Sequence, residues 1–526
     1  PANQPTAVCG LGIYRDDLLG DGSVGNAFTC EPVNQLVHRL VLEPKGATFA
    51  GHRAEGEEQA EFLASTDPWF RPVQVTTGPD GALYVVDMYR FLIEHPRWVP
   101  PEDLERIDIR AGSNLGRIYR VLPAGQRPRP VVKLDVLEGA DLAGALDTDN
   151  GQQRDLAAQM RVWRTDLAAV PKLVELCSAE RAATRMQALC TLAELGTLVE
   201  QQAIAALSDS HHAVRRQAVR LLPANAAALE AIDRLKLVSD GNLQVRMAVA
   251  AKLGEMPGAR AAELLVELVR AREPYSAAVA ISSFNADNIA DVLAAAIAAK
   301  ETEEEWTSPL LAEVVRQCAI LGDAATLGKV VDFVLPASTQ PLEPWQRALL
   351  GGLIPVIESR TEALDTASIE RIDGAIANAR AMVIDDELED AERVAAIGLL
   401  GLRSEQRGKD IDALSKLLTP QHSPAIQKRA IAALVRIPDA ASAEALLENW
   451  GSFGPASQAI ALDALVSRNE WIAQVLDGIE AGLIQPALLD AARRERLMQL
   501  PDAELAARAA KLLANFSSDR EAVISE

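Results

Sequence analysis

Two rhythms of apolar residues divide the chain. From about residue 136 onward, Ala, Leu, Val and Ile recur every three to four positions, as in "AAALEAIDRLKLV" and "AIQKRAIAALVRI". That spacing lines one face of a helix. Before residue 125 the rhythm is two. In "FRPVQVTTGPDGALYVVDMYR", residues 70–90, Val73 and Val75 alternate with polar residues, and Leu83 and Val85 do so again after Gly-Pro-Asp-Gly. Asp80-Gly81 predicts a tight hairpin, because such turns need positive φ and Gly adopts it without steric cost. Residues 26–32, 36–43, 47–55 and 116–123 read as further strands. Residues 90–115 form a long excursion from the hairpin, and loops of that length inside a compact domain are usually functional or unstructured. "PAGQRPRPVVKLD", residues 123–135, contains three prolines and reads as a stiff linker.

The helical part repeats itself. Arg185, Arg215 and Arg246 each open an Ala/Leu helix and are spaced by 30 and 31 residues, and Asp209 and Asp240 precede their arginines at equal distance. Weaker copies stand at residues 390–401 and 425–437. Self-similarity at this period means stacked helix pairs, each burying its apolar face on the next. The motif resembles short HEAT repeats. Alanine suits close helix approach and has the highest helix propensity. Pro257, Pro274 and Pro438 fall where helices should end. The expected fold class is therefore mainly α, a HEAT-like α-solenoid preceded by a β segment. The expected bounds are 1–122 for that segment, 123–135 for the linker, and 136–300 and 301–526 for two solenoid halves. The acidic run "ETEEEW" at residues 301–306 marks their junction and reads as a solvated helix start or loop.

Composition sharpens the boundary. Aromatics make up 4% of the chain, yet four of five tyrosines and five of nine phenylalanines fall in the first 125 residues. Hydrophobic residues reach 49%, enough to bury a core. The net charge of −22 repels phosphate backbones, so nucleic acid is excluded as an expected partner. No apolar run approaches the ~18–20 residues of a membrane helix. Of five cysteines, none forms CxxC or CxxCH, so a zinc ribbon and covalent c-type haem in this chain are excluded. Cys177, Cys190 and Cys318 lie in helical patterns and read as small buried hydrophobes. For Cys9 and Cys30 a disulfide and two free thiols are both open. The expectation is that their sulfurs sit close enough to bond, which would imply export.

Candidate chemistry gathers in the β segment. Arg71, Asp87, Tyr89, Arg90, His95, Arg97 and Trp98 cluster around one hairpin and its exit loop. Arginines suit carboxylates, and Asp and His suit hydroxyl contacts and proton abstraction, so the set could line a sugar or anionic-cofactor pocket. The competing reading is a structural polar network at a strand end. The Asp/Arg pairs of the repeats read as a structural ladder. His211-His212 reads as a polar turn rather than a metal site, because adjacent residues diverge and no third ligand is in register. No metal site is expected.

The segment "CGLGIYRDDLLGD…GNAFTCEPVNQLVHR…EFLASTDPWFRPVQVTTGPDGALYVVDMYRFLIEHPRWVP…GRIYRVLP" resembles the last blades of a bacterial membrane-bound dehydrogenase family of quinoprotein type. The resemblance spans residues 5–123 strongly and the helices more loosely. It implies a partial β-propeller of about two blades, in a parent protein that oxidises a sugar or polyol on PQQ. It also implies an exported or periplasmic setting and a c-type cytochrome domain downstream that accepts the electrons. The family's cofactor residues fall on blades outside this sequence, so no catalytic role is carried over. PQQ binding by this chain alone is not expected. The alternative reading is a non-catalytic HEAT scaffold that binds a protein partner on the solenoid face.

Overall fold

The computed structural model describes residues 7–93, 97, 99–302, 309–337 and 342–514. Among these residues every strand precedes residue 122, and helices follow from Gly139 onward. The first sheet holds β1 (Cys9–Ile13), β2 (Ala27–Glu31), β3 (Leu36–Lys45) and β4 (Thr48–His52) in that order, with β5 (Leu63–Ala64) pairing β3. The second sheet holds β6 (Pro72–Thr77), β7 (Leu83–Asp87) and β8 (Arg117–Val121). All pairs are antiparallel. The two sheets share a core of Tyr14, Phe28, Cys30, Val37, Phe70, Val75, Leu83 and Val85. Val75, Leu83 and Val85 of the hairpin thus face inward as their period requires, whereas Val73 lies at a register irregularity of β6 and is only half-buried. Gly81 has φ +87, as its turn demands.

In β1 Leu11 and Ile13 alternate with glycine rather than with polar residues, and they face outward. The glycines serve close approach instead. A Cβ on Gly12 would stand 2.6 Å from Val75 O on β6, and one on Gly10 would collide with Val73 O. Cys9 and Cys30 are register partners across β1 and β2, but both are free thiols. The expected bond is not formed: the Cys9 sulfur turns 4.0 Å from Pro72 O.

By its contacts the chain divides into two compact units, Pro1–Pro257 with Glu267–Ser283, and Gly258–Val266 with Phe284–Glu526. In the first unit the β segment docks on the helix Gly151–Arg164. Asp16, 1% exposed, accepts Leu18 N at 2.9 Å, Arg129 Nη1 at 2.8 Å and Asn150 Nδ2 at 2.8 Å. Asn150 Nδ2 also donates to Gly78 O at 2.8 Å, while Asn150 Oδ1 caps the helix by accepting Gln153 N at 2.8 Å. Arg129 belongs to the proline-rich segment, and its own N–H donates to Asp80 O at 3.0 Å. That segment is therefore a strap bound along the β segment rather than a free spacer. At the far tip, Gln244 Nε2 donates to Ala47 O at 3.2 Å, so the β3–β4 turn reaches the helix Leu243–Gly254.

In the first unit the helices stack in two layers. The inner one, against which the β segment docks, contains Gly151–Arg164, Ala182–Glu194, His212–Leu221, Leu243–Gly254 and Pro274–Ser282, each packed on the next. Pro274 opens its helix at the first turn, where its missing N–H costs nothing. The arginine ladder is real and longer than the sequence suggested. Arg185 makes a bidentate pair with Asp209 at 2.7 and 2.7 Å, and Arg215 pairs Asp240 at 2.8 and 2.8 Å. Each rung also donates to a carbonyl six residues earlier: Arg154 to Thr148 at 2.6 Å, Arg185 to Ala179 at 2.9 Å, Arg215 to Asp209 at 2.9 Å and Arg246 to Asp240 at 2.5 Å. Arg154 is thus an unforeseen first rung. Ala179 stands where the later rungs carry Asp.

The second unit is again a HEAT-like stack; some of its arginines pair with carboxylates across repeats, as Arg371 does with Asp332 and Arg493 with Asp463, but four act differently. Arg360 donates to Gly322 O at 2.7 Å, Arg436 to Leu400 O at 3.0 Å, Arg468 to Val435 O at 2.5 Å and Arg496 to Val466 O at 2.8 Å. Each neutralises the carbonyl end of an earlier helix or turn, where unpaired acceptors and the negative dipole end collect. Arg380 meets Asp410, which is fully buried and also accepts Gly401 N at 2.7 Å. Residues 301 and 302 complete the helix Ile289–Thr302, and the rest of the acidic run lies outside the described residues.

Candidate functional site

The predicted cluster at the end of β6 and β7 comes together around Arg71. Its guanidinium donates to Pro32 O at 2.8 Å, Val33 O at 3.3 Å, Arg90 O at 3.1 Å and Phe91 O at 2.8 Å. All three nitrogens are engaged by main-chain carbonyls, which ties the β2–β3 turn to the segment leaving β7. Asp87 Oδ1 accepts Arg71 N at 2.7 Å and Tyr89 N at 2.8 Å, holding Tyr89 at a left-handed φ of +52. Asp87 Oδ2 is buried with no partner among the described residues. Tyr89 stacks on Trp69 at 5.4 Å, and the Arg117 guanidinium lies 3.5 Å from its ring centroid. Arg90 Nη2 donates to Ser113 O at 3.2 Å. Arg97 is exposed, and His95 and Trp98 lie outside the described residues.

Among the described residues, Arg71 is not available to an anionic quinone. Arg71 is committed to carbonyls, and the buried Asp87 oxygen would repel a carboxylated ligand. The described residues of the cluster form a joint between two sheets. His211 and His212 stack at 4.6 Å, and His211 Nδ1 accepts Ala213 N at 3.2 Å as a helix cap.

A more open site lies on the inner helix layer. A groove of about 420 Å³ runs between Gly151–Arg164 and Ala182–Glu194. Asp155, Gln159 and Trp163 line one wall at helical spacing, and Gln187, Cys190, Thr191 and Glu194 line the other. Trp163 is 72% exposed. At the Asp155 end the groove meets a second depression of about 350 Å³ beneath β1 and β6, lined by Leu11, Ile13, Gln74 and Thr76. Arg15 and Asp155 stand between the two and neutralise each other at 2.5 Å. Burial pushes the Cys190 thiol up from its ordinary value, so it is a weak nucleophile there. Sequence reasoning did not single out Trp163. Its signal was a tryptophan in the last turn of a helix whose apolar face is otherwise Ala-rich.

Residues 1–125 match the model of a domain of unknown function, DUF7133. No curated protein matches the chain. Among solved structures, the karyopherin Kap121p bound to the SUMO protease Ulp1p is similar at 14% identity, over 72% of this chain and 46% of that one, with a TM-score of 0.46. Kap121p bound to Ste12p is similar at 15% identity over 72% and 50%, with a TM-score of 0.41. An engineered protein matches at 17% identity over 72% and 98%, with a TM-score of 0.26. The chain thus spans about half the length of the Kap121p chains it matches.

Proposed function

We propose that this chain is a protein-interaction scaffold, a HEAT-like array that presents its inner helix layer to a partner. The observation that carries the reading is the open groove at Trp163. A tryptophan exposed to this degree is costly to leave in water and is the residue type most enriched at interface hot spots. The conspicuous polar residues of the repeats serve the stack itself, as rungs and helix-end donors. Stacked repeats of this kind build extended binding surfaces. The test is photo-crosslinking from position 163. A benzophenone side chain there should give discrete protein adducts, and one at Glu230, exposed on the helix Ala226–Arg234 of the outer layer, should not. Equal labelling from both positions counts against the reading.

The second reading is part of a PQQ-dependent sugar or polyol dehydrogenase, exported or periplasmic and coupled to a downstream cytochrome. Its support is the resemblance of residues 5–123 and the packing of two small sheets on one shared core. Against it stands the use of Arg71 in the described part of the cluster, where its guanidinium is taken up by main-chain carbonyls. Dye reduction by the chain supplied with PQQ, Ca²⁺ and a panel of aldoses and polyols tests it, and turnover above the apo control would favour this reading over the scaffold.

A further inference from the structure

We infer that the Trp163 groove is a cation site, and that it receives a lysine or arginine side chain from an extended partner segment. The inference rests on the scaffold reading and names the partner's chemistry. Trp163 and Glu194 are 31 residues apart, one repeat, and so stand at equivalent positions on neighbouring inner helices. Both line the same groove. The Glu194 carboxylate is exposed and the Trp163 indole is 72% exposed. A groove with an indole on one wall and a carboxylate on the other can hold an ammonium or guanidinium, by cation–π attraction on one side and ion pairing on the other.

Position along the helices adds to this. Both residues lie in the last turn, so the negative ends of two helix dipoles point to the same end of the groove. Of the basic neighbours, Arg15 is paired with Asp155, Arg164 turns away to Leu137 O at 2.8 Å, and Arg220, near Cys190, donates to Gln217 Oε1 at 3.1 Å. Gln159 and Gln187, further down the groove, offer amides that can pair with the main chain of an extended peptide. The whole chain carries −22, which steers a cationic segment toward it.

The experiment is selection of a random 12-residue peptide display library on the full chain, followed by affinity measurement of the enriched peptides. Enriched sequences should carry Lys or Arg, and replacing that residue with citrulline or norleucine should weaken binding about tenfold. Trp163→Ala and Glu194→Gln should each do the same, with unchanged helical circular dichroism. Enrichment of peptides that bind both variants as well as the parent overturns this inference and leaves the scaffold reading standing. So does enrichment of acidic peptides. No enrichment at all overturns both.

Discussion

Asp16 and Asn150 meet at 2.8 Å in the buried joint between the β segment and the first long helix, 134 residues apart in the chain. Asp16 also holds Arg129, so three distant stretches converge on one carboxylate. Removing it leaves the Asn150 amide short of an acceptor in a buried place, and leaves the half-exposed Arg129 with Asp17 as its one remaining carboxylate partner among the described residues. Asp16→Ala should therefore cost about 3 kcal/mol in urea denaturation. It should also make residues 123–135 the first site of limited proteolysis. If cleavage there stays as slow as in the parent, the strap is not held by this node.

The ladder makes a constructive prediction. Arg154 is 8% exposed, and burial lowers its pKa below the usual arginine range. It has a carbonyl partner but no carboxylate, because Ala179 occupies the place of Asp209 and Asp240. Ala179→Asp should complete the rung and raise stability by about 1 kcal/mol. Asp209→Ala, which opens an existing rung, should lower it by about 2 kcal/mol. A melting temperature that falls in the Ala179→Asp variant would show that the first rung is not built like the others.

Acid titration separates two kinds of carboxylate. The hydrogen bond from Arg185 holds Asp209 below the usual carboxylate range, against burial. In the unfolded chain it returns to about 4. Its stabilisation is thus complete above that value and is lost as pH falls through the lower folded value. Asp410 has the opposite sign: burial raises its pKa despite Arg380, so its contribution is present below about 4 and lost as pH rises through the folded value. Stability of the parent minus that of Asp209→Ala, measured from pH 6 to pH 2, should shrink toward zero at the acid end. A difference that stays constant would mean the rung does not depend on ionised Asp209.

Much of this architecture was legible in the sequence, and the reasons for the gaps are physical. The hairpin was readable because Asp80-Gly81 and the alternation of Val75, Leu83 and Val85 are local. The stack was readable because Arg185, Arg215 and Arg246 repeat with the structure. Arg154 escaped because the sign of a rung was an Asp–Arg pair, and Ala179 breaks it. β1 escaped because its inward positions are Gly10 and Gly12, which replace apolar side chains with close backbone approach. The Asp16–Asn150–Arg129 node has no local signature at all. The cluster around Arg71 was found as a group, but the same residues that suit a ligand also suit main-chain carbonyls. Spacing could not choose between them.

Cys9 and Cys30 test the sheet register. As facing residues of an antiparallel pair, their Cα atoms are within the range a disulfide spans. Burial pushes the Cys30 thiol up to about 12 and raises that of Cys9 as well. Few thiolates exist at pH 8, so closure should be slow. Prolonged incubation with oxidised glutathione at about pH 9 should nevertheless link this pair in a non-reducing peptide map. The bond should add about 3 kcal/mol by restricting the unfolded chain. Mixed glutathione adducts at Cys9 without a link to Cys30 would contradict the register.

Arg71 decides what its cluster is for. A ligand-binding arginine can be truncated with little loss of stability, because its donors face a pocket. Arg71 instead bridges four carbonyls from two segments, Pro32 and Val33 on one side and Arg90 and Phe91 on the other. Removing it leaves the buried Pro32 carbonyl and three part-buried ones without this donor, and a gap between the sheets. Arg71→Ala should cost about 3 kcal/mol. Arg71→Lys should recover little of that, since an ammonium on a flexible stem cannot place donors in the planar fork these carbonyls require. Both variants should show faster amide exchange in residues 32–36 and 88–91, the two stretches it joins. A stable Arg71→Lys protein with unchanged exchange in both stretches would mean that the clamp is not structural, and the cluster would again be open to a ligand.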